Sequence, residues 1–196
     1  MASQAERREK TRSAILEAAE RAFADDGFAA TRMDDIAAAA GVAKGAVYHH
    51  FPSKETLFEA VFEQTSRALV RRVVGVSLGA GDVLDGMVAG SREYFAACAE
   101  PALGRIILRD SPAVLGWERW RQIDAEHFGR MFPIALGQAM DLGLLARQPV
   151  GPLARLLVGA VTEAAVACAS AEDPAAVGRD HVVALEAVIE GLRRRG

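Results

Sequence analysis

Residues 27–58, GFAATRMDDIAAAAGVAKGAVYHHFPSKETLF, constrain this chain more than any other stretch. Thr31 is placed to cap a helix whose first turn carries Asp34 and Asp35, the charge sign that suits the positive end of a helix dipole. Met33, Ile36 and Ala40 recur along it, and Gly41 ends it in a conformation that only glycine adopts cheaply. A second helix is expected from about Ala43 to His49, with Val42, Ala46 and Val47 available for packing. Phe51-Pro52 closes it, and Ser53 caps a third helix carrying Glu55, Leu57 and Phe58. Two short helices joined by a glycine-containing turn form a helix-turn-helix, whose second helix enters the DNA major groove.

The same residues carry a family resemblance. Thr31, Ile36-Ala37, Gly41-Val42, Lys44-Gly45, Tyr48-His49-His50-Phe51 and Ser53-Lys54 stand at the spacing of the TetR family of bacterial transcriptional regulators. The preceding helix fits as well, with Ile15, Leu16, Ala19 and Phe23 on one face before Gly27-Phe28. The detailed match covers residues 7–60. The resemblance implies an all-α protein with an N-terminal DNA-binding head over residues 1–65 (helix-turn-helix about 32–51). A helical effector-binding and dimerisation domain over 66–196 would follow. It also implies operator phosphate contacts at Thr31, Tyr48, His49 and Lys54.

Charge alone does not advertise a nucleic-acid partner. The formal net charge is −3. Residues 1–55 hold Arg7, Arg8, Lys10, Arg12, Arg21, Arg32, Lys44 and Lys54 against nine acids. The acids fall mostly on the first helix and the start of the second, whereas Lys44 and Lys54 bracket the recognition segment. A local basic face is what DNA contact requires. The chain has only three lysines, Lys10, Lys44 and Lys54, against twenty arginines, and all three lie in the first 54 residues. Base reading would fall to the exposed side of the second motif helix, where Gly45 and Ala46 allow close approach, with Arg32 and Lys44 beside it. The Tyr48 ring could instead pack on helix 1, and His50 and Phe51 are expected to face the core.

Beyond the head the pattern stays helical, with no alternating strand run. With 51% hydrophobic residues the chain can bury a sizeable core. No charge-free run of membrane-spanning length and no apolar leader are evident, so a cytoplasmic protein with no membrane partner is expected. Nine helices are expected. One runs from Ser53 to about Val76 until Gly75, Gly79 and Gly81 break it, and one from an Asp82 cap to Ala99. A shorter one holds Ile106, Ile107 and Leu108, and a long one covers about Val114 to Gly143, bent at Pro133. The final two carry the stripes Leu153, Leu156, Leu157, Ala160, Val161, Ala164, Cys168 and Val182, Leu185, Val188, Ile189, Leu192. The last ends in Arg193, Arg194 and Arg195.

A head of this size reads too little DNA alone, so a homodimer on a pseudo-palindromic double-stranded operator is expected. Leu156, Ala160, Ala164, Leu185 and Ile189 are the candidate dimer contacts, in keeping with the family's use of its final two helices. Alternatively those stripes fill the monomer core. Trp117, Trp120, Asp124, His127 and Met131 recur at helical spacing, and Tyr94 and Phe95 lie on the preceding helix. Together they resemble an apolar small-molecule pocket with few polar anchors, although both tryptophans could equally be core. Such a ligand would displace the helix between chamber and head, and repression is the sign the family implies.

An enzyme is the competing class, with Asp124 or Glu126 beside His127 as an acid–base pair. No nucleophile motif, phosphate loop or metal cluster accompanies them, so no catalytic residue, cofactor or metal is expected. A second alternative keeps the DNA-binding dimer and makes the body an interaction scaffold without an effector. A lipid-binding N-terminal helix is disfavoured by Glu6, Glu9, Glu17 and Glu20. Cys98 and Cys168 read as buried small hydrophobes.

Overall fold

The computed structural model describes residues 3–193. Helix α1 (Gln4–Ala30) starts at Ser3, whose hydroxyl accepts the Glu6 amide while the Glu6 carboxylate accepts the Ser3 amide. Its buried face is Ile15, Leu16, Ala19 and Phe23, as the spacing requires. Helices α2 (Met33–Ala39) and α3 (Lys44–His50) follow, joined through Gly41 at φ 67°, a left-handed value that glycine reaches without strain. Helix α4 (Lys54–Leu78) begins at Ser53, which forms a reciprocal cap with Thr56. Gly75 does not break it, because the helical bonds continue to Leu78.

Two hydrophobic cores meet along α4. Its first half buries Leu57, Phe58 and Val61 with Ile15, Phe23, Ile36 and Val47 of the head. Its second half gives Phe62, Leu69 and Val73 to a larger core. That core is shared with α5 (Val83–Ala99), α8 (Trp117–His127), α9 (Met131–Asp141), α10 (Val150–Ser170) and α11 (Pro174–Leu192). The Asp82 carboxylate caps α5 by accepting the Leu84 and Asp85 amides, and Asp173 caps α11 through the Ala176 amide.

Between α5 and α8, α6 (Pro101–Gly104), a π-helical turn (Arg105–Asp110) and α7 (Ser111–Leu115) run on as one irregular rod. The π turn divides consecutive residues between the cores: Ile106 enters the head, while Ile107 and Leu108 enter the body.

The long helix expected over 114–143 is two helices. Gly116 at φ 78° starts α8 afresh, and the break falls at Phe128–Arg130, not at Pro133, which sits harmlessly in the first turn of α9. Among the described residues, nine α-helices have seven residues or more, α1 to α5 and α8 to α11. The protein is all-α, and among the described residues the sole bridge-type pairing is Leu145 with Arg193. Helix α10 is long and apolar enough to cross a membrane, yet Ala154, Leu157, Val161, Ala164, Ala165 and Cys168 pack into the core. Arg193 ends α11, and Arg194 and Arg195 lie outside the described residues.

Candidate DNA-contact surface and interior chamber

The outer side of α3 presents Lys44, Gly45, Tyr48 and His49 to solvent, with Ala46 half-buried and Val47 turned into the head core. Tyr48 is 43% exposed, and the Lys44 ammonium lies 6.0 Å from its ring centroid. The Lys44 ammonium reaches the Asp34 carboxylate at 2.8 Å, and this hydrogen bond holds its pKa above the usual lysine value. Arg32, the N-cap of α2, is exposed beside them. Phe51 is buried, and His50 is partly so. Burial, and then the charge of Arg8, lower the His50 pKa.

Two expected phosphate clamps point inward instead. Thr31 is buried, and its hydroxyl donates to the carbonyls of Gly27 (2.7 Å) and Ala22 (3.1 Å). It therefore closes the end of α1 and does not cap α2, which has no side-chain cap. Lys54 donates to the carbonyls of Phe28 (2.7 Å), Thr31 (3.0 Å) and Ala29 (3.4 Å), and its ammonium lies 4.3 Å from the Phe28 ring centroid. Orphan carbonyls at a helix end attract a cation more strongly than open solvent does. Conversely, the sequence reading gave no role to Arg12, whose guanidinium sits 5.5 Å from the Phe51 ring and brings α1 alongside the end of α3.

In the body, a cavity of about 440 Å³ opens among α4, α5, α8, α9 and α10. Of the seven residues expected in it, Tyr94, Asp124 and Met131 line it. Phe95 is buried on the other side of α5 against His181. Trp120 is fully buried in the core, where its indole N–H donates to the Ile107 carbonyl at 3.0 Å. Trp117 is 57% exposed, because α8 begins at it and its ring overhangs the first turn beneath Arg121. His127 is half-buried and off the cavity. The unforeseen walls are Val73 and Ser77 of α4, Met87 and Ser91 of α5, and Phe128 and Phe132 beyond α8. Burial pushes the Asp124 carboxyl from 3.8 up to about 6.

Head and body are joined at more than α4. The Asp110 carboxylate accepts the Phe28 amide at 2.9 Å, and Arg105 donates to the carbonyls of Ala24 and Asp25. Arg119 of α8 forms an ion pair with Glu59 of α4.

Of the expected dimer contacts, Leu156 (73%) and Ala160 are exposed, but Ala164, Leu185 and Ile189 face the protomer's own core. Each helix is apolar on two sides, and the spacing alone did not say which side turns inward. The exposed apolar residues of α11 include Val183, Ala184, Ala187 and Val188.

Comparison with known proteins defines the class. Residues 15–61 match the family described as "Bacterial regulatory proteins, tetR family", and residues 84–192 match "Tetracyclin repressor-like, C-terminal domain". The chain belongs to the TetR family and is a DNA-binding transcriptional regulator, not an enzyme. A TetR-family transcriptional regulator from Pectobacterium atrosepticum has a TM-score of 0.86 and 33% identity, covering 99% of both chains. The HTH-type transcriptional regulator TtgR of Pseudomonas putida is 48% identical over 58 residues, 30% of this chain and 28% of TtgR. The HTH-type transcriptional repressor KstR2 of Rhodococcus jostii is 35% identical over 85 residues, 42% of each. The matched part thus spans less than half the length of these curated relatives. RolR, solved in complex with resorcinol, shares the fold at a TM-score of 0.73 with 17% identity.

Proposed function

We propose that the protein is a homodimeric repressor that binds a pseudo-palindromic operator and is released by a small, largely apolar effector. One observation carries this reading. The cavity is walled by Val73 and Ser77 of α4, and the same helix supplies Leu57, Phe58 and Val61 to the head core. A molecule that fills the cavity unequally in two positions of α4 shifts their populations by its difference in affinity, and with them the spacing of two recognition helices. The Asp110–Phe28 and Arg119–Glu59 links offer a second line from α8 and the π turn to the head.

On DNA, Arg32, Lys44, Tyr48 and His49 make the contacts to phosphate and base edges. Gly45 and Ala46 let the helix approach closely. Thr31 and Lys54 serve by holding the end of α1 in place. The repressor sense is supported by KstR2's description as a repressor, and the apolar effector by RolR's complex with the aromatic resorcinol. Its place of action is the cytoplasm, where the operator lies. A cavity with Tyr94 and Asp124 buried in its wall favours an effector over a pure interaction scaffold, whose core has no need of one.

The test is fluorescence anisotropy with the protein's own upstream DNA, with and without a panel of small apolar ligands. A member that fills the cavity is expected to weaken DNA binding by at least about tenfold, the scale of an ordinary coupling energy. Tight cavity binding with no change on DNA would overturn the gating.

A further inference from the structure

We propose that the chamber takes an organic cation: a ring-bearing apolar amine whose ammonium meets the Asp124 carboxylate beside the packed Tyr94 and Phe128 rings. The inference rests on the reading of this chamber as the effector site and names the chemical class it accepts.

Asp124 is 8% exposed and lines the cavity. Among the described residues, none donates a hydrogen bond or forms an ion pair to its carboxylate. A buried carboxylate without a donor is unfavourable, and a cation relieves this most effectively. The surroundings supply none. Tyr94 and Cys98 face it from α5, and burial pushes both further from ionising. Cys168 stands behind Cys98 on α10 and is likewise held as a thiol by burial. Arg121, one turn back on α8, is exposed and acts only through its field.

Among the described residues, no lysine, arginine or histidine lines the cavity. The one other carboxylate there, Asp82, is already paired with Arg193 and bound to two amides. The Asp124 carboxylate therefore gives this part of the chamber a negative charge, which disfavours carboxylate ligands and favours cations. Its aromatic walls suit the same guest, since the Tyr94 and Phe128 rings pack against each other with centroids 5.1 Å apart and Phe132 also lines the cavity. Ring faces attract a cation, and more strongly where water is excluded. A volume of about 440 Å³ holds a substituted ring with a short chain.

The experiment compares 4-phenylbutylamine, 4-phenylbutanol and 4-phenylbutanoate by calorimetry. They share one scaffold with a cationic, a neutral and an anionic head. The amine should bind at least about tenfold more tightly than the alcohol, as a charge-assisted hydrogen bond implies, and the carboxylate should bind weakest. Asp124→Asn should erase the preference for the amine while keeping the alcohol. Glu126→Gln, on the exposed side of the same helix, should leave the preference intact. Because burial places the Asp124 carboxyl at about 6, amine affinity should fall when the pH drops from about 7.5 to about 5, and alcohol affinity should not.

Equal binding of amine and alcohol, or an amine preference that survives Asp124→Asn, would overturn the assignment. A parallel anisotropy assay on upstream DNA separates the two proposals. Release by the alcohol or the carboxylate and not the amine leaves the effector reading standing and removes the cation. Amine binding without release does the opposite, and binding by none of the three to wild type removes both.

Discussion

Lys54 and Tyr48 stand six residues apart in the head and carry opposite kinds of evidence. The lysine ammonium is spent on three carbonyls at the end of α1, while the tyrosine is exposed. Lys54→Ala should therefore destabilise the head by about 1–2 kcal/mol, the value of charged hydrogen bonds in a partly buried site, and lower the melting temperature. If Tyr48 contacts the operator as proposed, Tyr48→Ala should cut operator affinity about tenfold with the melting temperature little changed, because the ring is exposed and outside the head core. An unchanged melting temperature for Lys54→Ala would return that residue to the phosphates. Asp124 makes a stability prediction as well. Its carboxyl is raised from 3.8 to about 6 in the fold, so the folded state binds the proton more tightly than the unfolded one. Stability should fall as the pH rises from about 4 to about 6 and stay lower above it. Without ligand, Asp124→Asn should melt above wild type at about pH 7.5, and the gap should shrink towards about pH 4. A gap independent of pH would mean that the carboxyl ionises as it does in water.

Helices α4 and α5 form the tightest pair in the molecule, and glycine makes it possible. A Cβ at Gly86 would stand 2.8 Å from the Ser77 carbonyl oxygen, and one at Gly90 would meet Ser77 and Val73 side chains. A backbone carbonyl cannot rotate away. Gly86→Ala should thus force the helices apart and cost about 1–3 kcal/mol, read as a lower denaturation midpoint at unchanged helicity. How far the sequence reaches is visible at this scale. Helices with one apolar stripe and a side-chain cap, such as α4 and α5, were legible nearly to the residue. The chamber was legible only in part, since its geometry depends on where helices break. Gly116 restarts α8 at Trp117 and turns that indole to solvent, and the break near Gly129 brings Phe128 and Phe132 to the cavity. Inward-facing lysine and threonine were hidden for another reason: a carbonyl cluster at a helix end is a property of the fold and leaves no residue pattern.

At the scale of the whole molecule, the last two helices leave apolar side chains uncovered. Leu156 is 73% and Val183 66% exposed, and Ala160, Ala184, Ala187 and Val188 are exposed on the same two helices, α10 and α11. These helices already bury their inner stripes in the protomer, so the outer residues add nothing to its core. Small side chains among the larger ones let a second pair of helices approach closely, and a two-fold contact there makes a four-helix interface. Leu156→Asp with Val188→Asp tests this without disturbing the fold, because both side chains are solvent-facing in the protomer. The double variant should elute and scatter light as a monomer, keep its helicity, and still bind a ligand in the chamber. Operator affinity should fall by about a hundredfold or more, since each half-site must then be held without the effective concentration the linked partner provides. A variant that remains dimeric would move the interface elsewhere on the body. A monomer that keeps full operator affinity would show that one head, with its few placed contacts and no excess of positive charge, reads DNA unaided.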